Sequence, residues 1–113
     1  MIDLEIHGTG GRNVQARDHL LEQTRQALVA TDYYDQLTLV DTGSTVLTMD
    51  RIQAPPFARI YAPPSVLDNV IQDIRAKLQD LFATLEGVQV IRVNIREAVH
   101  EALQQEGVLR GDT

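Results

Sequence analysis

Five side chains in this sequence combine a reactive type with a suggestive position: Asp3, His7, Arg12, Arg59 and Arg92. Arg12 follows the glycine-rich run Gly8-Thr9-Gly10-Gly11 and precedes Asn13, a residue suited to open a helix. A guanidinium beside the free amides of a helix N-terminus can complete a site for a small carboxylate. The plainer reading pairs Arg12 with Asp3 or Asp41 in solvent. Arg59 and Arg92 fall on predicted strands and would reach the same pocket if their faces converge; otherwise they meet solvent or another subunit. His7, at the mouth of the glycine loop, is a candidate acid or base, with Asp3 a weaker one.

Other chemistries are poorly supported. The glycine run lacks the Gly-Lys-Ser/Thr ending of a phosphate-binding loop and the full dinucleotide fingerprint, so a plain turn is the simpler reading. His7, His19 and His100 have no metal-ligand spacing, and with no cysteine in the chain neither a metal site nor a cofactor is expected. Ser44 and Ser65 suit a turn and a helix cap rather than a nucleophile. Ten basic residues against sixteen acidic ones give a net charge of −6, which opposes nucleic acid and anionic membranes as partners. The start of the sequence has no basic leader, and no apolar run could span a bilayer; a cytoplasmic protein of bacterial style is expected.

The elements that position these residues read twice. Ile2, Leu4 and Ile6 alternate with Asp3, Glu5 and His7, the period of a half-buried strand. A helix follows Asn13, with Leu20, Leu21, Thr24, Ala27 and Leu28 at helical spacing, and Tyr33-Tyr34 cover its exit. Leu37 to Val40 is a second strand. Asp41 to Ser44 then has hairpin chemistry, with Thr45 to Met49 as the returning strand. Ala54-Pro55-Pro56 is a hinge. The order repeats with a strand at Phe57 to Tyr61, a capping pair Ser65 and Asp68, and an apolar helix face from Leu67 to Leu85. Gly87 is placed as its C-cap, and Val88 to Ile95 is read as a central strand. Glu97 to Glu106 makes a short last helix. The fold class is therefore α+β, one domain over 1–113 with units at about 2–50 and 56–106. Two β-α-β units share a four-stranded sheet with helices on one face, plus a hairpin strand and a C-terminal helix. Tyr33, Tyr34, Phe57 and Tyr61 are candidate linings of an apolar pocket near the unit junction.

Ile6-His7 and Gly11-Arg12-Asn13 in the first unit, and Pro56-Phe57-Ala58-Arg59-Ile60-Tyr61 in the second, resemble the tautomerase superfamily. That group includes 4-oxalocrotonate tautomerase and macrophage migration inhibitory factor, and the likeness extends to its fused two-unit members over residues 2–95. The resemblance implies a trimer, an N-terminal proline as proton carrier, and an arginine at the Arg12 position holding a substrate carboxylate. Here the proline position holds Ile2, and Pro56 is an internal amide without basicity. The expected function is thus an oligomeric binding or structural module for a small carboxylate, without the catalytic proline. An alternative keeps an isomerase of the keto-enol type with His7, Asp3 or the Met1 amine as base. Another reads the same element order as a ferredoxin-like dimeric sensor or partner-binding domain.

Overall fold

A computed structural model describes residues 1–84 and 86–93. It has six main elements: β1 (Ile2–His7), α1 (Val14–Leu28), β2 (Leu37–Asp41), β3 (Phe57–Ala62), α2 (Asp68–Leu78) and β4 (Val88–Arg92). The strands form one sheet in the order β2-β1-β3-β4. β1 and β2 run parallel, as do β3 and β4, and the two pairs join antiparallel along β1 and β3. This is an α+β fold with a mixed sheet, as the doubled pattern predicts. The expected helix at 97–106, the end of the last strand, His100 and Leu85 lie outside the described residues.

Alternation decides which face each residue serves. Ile2, Leu4 and Ile6 are buried on the helix side, and their cross-strand neighbours Ala58, Ile60 and Ala62 lie there with them. Leu28 from α1 and Ile71, Ile74 and Leu78 from α2 close over this layer. Each fully buried Leu or Ile contributes roughly 1.5–3 kcal/mol. Thr24, buried in α1, donates its hydroxyl to the Leu20 carbonyl and so brings no unsatisfied group into the core. Tyr33 packs over the α1 exit as expected, and its hydroxyl donates to Asp73 of α2. Burial first, then that hydrogen bond, push the Tyr33 phenol well above its ordinary range.

Local sequence signals hold at the first helix. Asn13 is its N-cap and accepts from the Gln15 amide at 2.8 Å. They fail in four other places. Ser65 lies in the turn after Pro63-Pro64, and Leu67 is the cap residue of α2 with no side-chain bond. α2 then stops at Leu78, well short of the expected five turns, because a tight turn drops Phe82 into the core. Gly87, with φ of +52°, leads into β4 rather than ending a helix. β4 is an edge strand among the described residues, and its apolar start packs against the core beneath α2.

The hairpin strand expected at 45–49 reduces to a single bridge between Leu47 and Gln53. Topology explains this. β2 and β3 flank β1, so the connection between them must pass over the end of β1, where the glycine loop also leaves. Gly8 takes φ of +85°, and Gly10 passes so close to the connection that an added Cβ would sit 2.5 Å from the Gly43 carbonyl oxygen. Gly10→Ala should therefore cost about 1–3 kcal/mol of stability, measured by urea unfolding. A loss under about 0.5 kcal/mol would show that the crossing is loose.

Candidate functional site

β1 and β3 present their second faces away from the helices. There His7 stands opposite Phe57, Glu5 opposite Arg59, and Asp3 opposite Tyr61. The His7 and Phe57 rings stack with centroids 5.1 Å apart and planes 6° from parallel. The Arg59 guanidinium carbon lies 5.2 Å from the centroid of the same Phe57 ring, within cation–π range. Arg59 Nε donates to Gln89 Oε1 at 3.2 Å, and Arg59 has no acidic partner within 4 Å among the described residues.

His7 Nε2 lies 2.9 Å from Glu5 Oε1, with the imidazole side chain only 14% exposed. A carboxylate can only accept, so Nε2 carries a proton in this contact and Nδ1 is the ring position left for other chemistry. Asp3 shares this face but lies four residues back along β1, about 13 Å from His7. Glu5, which nothing in the sequence singled out, is the carboxylate that orients the imidazole. The i, i+2 spacing on one strand could have flagged it.

The three arginines do not converge. Arg12 lies beyond the His7 end of β1, and Arg92 sits beside Ala62 at the other end of the sheet, a strand length of about 17 Å away. Arg92 donates to the Pro63 and Val66 carbonyls and pairs with Asp68, tying β4 to the start of α2. Arg12 does not pair with Asp3 or Asp41. Its Nε donates to the Gly8 carbonyl and its Nη2 to the Ala54 carbonyl, each at 2.9 Å, so it fastens the crossing connection to the glycine loop. Gln53 adds a bond to the Gly10 carbonyl at 2.7 Å. The Gly8 and Gly10 amides are themselves donated to Ser44, which closes the loop to an anion.

Asp41 is the acid at this crossing, and Arg17 is its cation. Arg17 Nε and the Thr9 hydroxyl each donate to it at 2.5 Å, and the Gly43 amide at 3.1 Å. Burial opposes its charge, but the bonds from Thr9, Arg17 and Gly43 outweigh that and hold the carboxyl below the usual range.

Of the four aromatics, Phe57 and Tyr34 line two separate pockets. Phe57 meets Val46, Thr48, Ala54, Pro55, Thr84 and Glu86 around a cavity of about 360 Å³. Tyr34 lines a second, of about 370 Å³, between α1 and β2. Among the described residues no cluster of His, Asp and Glu is placed to hold a metal ion, and no helix is long and apolar enough to cross a membrane.

With this geometry in hand, the chain can be set beside known proteins. No protein-family profile and no curated sequence matches it. Solved structures of similar outline do exist. One is a domain of unknown function from Sebaldella termitidis, 13% identical, with 82% of this chain and 87% of that one covered at a TM-score of 0.49. Another is the macrophage migration inhibitory factor of Toxoplasma gondii, 12% identical, covering 81% and 88% at 0.47. A third is a fused 4-OT solved as an asymmetric trimer, 16% identical, covering 80% and 85% at 0.48. These neighbours are tautomerase-superfamily proteins. At such identities and scores the function must be argued from this chain's own residues.

Two outcomes follow at this site. Arg12→Ala removes the bonds to the Gly8 and Ala54 carbonyls and should lower stability by about 1–3 kcal/mol. It should also speed proteolysis within 42–56, read by limited digestion. Asp41→Asn should lose about 1–3 kcal/mol at pH 7. Because the folded pKa lies below the unfolded value of about 3.9, the wild-type advantage is full above that value and fades as pH falls below it. A difference between the two proteins that stayed constant from pH 7 to pH 2.5 would contradict this assignment.

Proposed function

We propose that this chain is a tautomerase-like protein that lacks the secondary-amine catalyst and works as a self-associating module for a small carboxylate. The observation that carries this reading is Ile2. It opens β1, is wholly buried, and its side chain belongs to the hydrophobic core. An isoleucine there supplies no group able to carry a proton, whereas a proline amine at a strand start could be neutral near pH 7.

The carboxylate falls to Arg59 rather than Arg12. Arg59 lies against an aromatic plate without an acidic partner among the described residues, and Arg12 is committed to two carbonyls. Self-association is supported by the sheet face opposite α1 and α2, where Val40, Tyr61 and Ile91 are exposed or half-buried among the described residues. A trimer is the favoured assembly and a dimer the rival.

A second reading has its own observation, the His7–Glu5 pair beside Arg59. It makes the protein a keto-enol isomerase in which His7 Nδ1 moves the proton and Arg59 holds the substrate carboxylate. One assay separates the two. Incubation with enolised phenylpyruvate or 2-hydroxymuconate should give no turnover above buffer, while calorimetry detects carboxylate binding that Arg59→Ala weakens by about tenfold or more. Turnover abolished by His7→Asn would replace the first reading with the second. Light scattering should give about 38 kDa, three times the 12.6 kDa chain.

A further inference from the structure

Two segments that meet beside Phe57 leave a cavity between them that the carboxylate reading does not use. One wall comes from the β2–β3 connection, through Val46, Thr48, Ala54 and Pro55. The other comes from the turn before β4, through Thr84 and Glu86. Phe57 completes the lining, and the space is about 360 Å³. Arg59 is not part of it, so this is a different place from the guanidinium over the Phe57 ring.

Both walls are held by the backbone. In the connection, the Thr48 amide donates to the Ile52 carbonyl and the Ala54 amide to the Val46 carbonyl, each at 2.8 Å. Arg12 fixes the Ala54 carbonyl from the other side. In the turn, the Gly87 amide donates to the Thr84 hydroxyl at 2.7 Å, and the Thr84 amide donates to the Phe82 carbonyl at 2.9 Å. The Phe82 side chain is itself sunk in the core. A cavity shaped in advance loses little conformational freedom on binding, which suits a small molecule.

The lining selects the charge of that molecule. Val46, Ala54, Pro55 and Phe57 offer mainly carbon, so the body of the ligand is apolar. Among the described residues, Glu86 is the one charged group in the wall, and it has no ion-pair partner. The Thr84 hydroxyl accepts the Gly87 amide and keeps a second lone pair. A carboxylate brought here would meet Glu86 with no cation in the wall to offset the repulsion. The other cavities make no such choice. Arg25 and Asp35 share the one between α1 and β2, and Arg25 is already paired with Glu22. The groove between the helices sets His19 and Lys77 against Glu22 and Asp80.

We propose that the Phe57 cavity binds a small organic ammonium compound, its apolar body against Val46, Pro55 and Phe57 and its charged head on Glu86. The ammonium donates to the Glu86 carboxylate, with the Thr84 oxygen as a further acceptor. Glu86 is at the exposed rim, so it chooses the charge, while the apolar body supplies most of the affinity. This site is separate from the carboxylate site at Arg59 and does not depend on it.

Three probes of similar shape and different charge test it: 2-phenylethylamine, 2-phenylethanol and 3-phenylpropionate. Each is titrated at neutral pH into isotope-labelled protein and followed by amide NMR shifts. The amine should saturably shift the Thr48, Thr84 and Gly87 amides and bind about threefold or more tightly than the alcohol. The carboxylate should be the weakest at these amides. Glu86→Gln should bring the amine down to the level of the alcohol. Ala54→Leu, which fills the cavity and keeps the Ala54 carbonyl, should weaken amine and alcohol alike. Amine binding undiminished by Glu86→Gln, or a carboxylate that binds as tightly at these amides, overturns the proposal. So does the absence of any saturable shift with the amine.

Discussion

The crossing of residues 42–56 over the end of β1 is the constraint on which the rest of the structure depends. β1 lies between β2 and β3, and both the route to α1 and the route to β3 must clear its last residue. Two chain segments share that space only because Gly10 has no side chain and Gly8 can turn left-handed. The polar residues gathered there satisfy one another. Thr9, Arg17 and Gly43 donate to Asp41, while Arg12 and Gln53 donate to carbonyls on either side. A group that looks from its composition like an anion site is in fact a clamp on the backbone.

The antiparallel register of β1 and β3 does the next part of the work. It places His7 against Phe57 and Glu5 against Arg59 on one face, while the apolar residues between them enter the core. A slip by one residue would reverse both faces, burying charge and exposing isoleucine. The same pairing that stabilises the sheet therefore brings an imidazole, a carboxylate and a guanidinium around one aromatic ring, from residues fifty positions apart in the chain.

What was readable in the sequence, and what was not, follows from the range of the forces involved. Periods of two and 3.6 are local, so β1, the apolar stripe of α1 and the cap at Asn13 could be read directly. The end of α2 could not, because Phe82 leaves helical geometry to fill a gap left by distant residues. The returning strand at 45–49 has suitable β-branched residues, but its backbone bonds fall within the connection itself, at Leu47 with Gln53 and from the Thr48 amide to the Ile52 carbonyl, and not on β2. At the candidate site, His7 and Arg59 were recognisable as reactive types. Their meeting through Phe57, and the role of Glu5, required the register. Arg12 was noticed for its position beside a helix start, but its two partners lie at Gly8 and forty-two residues onward at Ala54.

The shared layer beneath the two helices has a consequence for how the molecule comes apart. Ile2, Leu4 and Ile6 from one half and Ala58, Ile60 and Ala62 from the other belong to a single cluster with Leu28, Ile71 and Ile74. Neither half holds a self-sufficient interior, since removing one would strip water protection from the other along the whole seam. Heat or denaturant thus meets one all-or-none transition, and a cut between the halves leaves two fragments that fold only by finding each other.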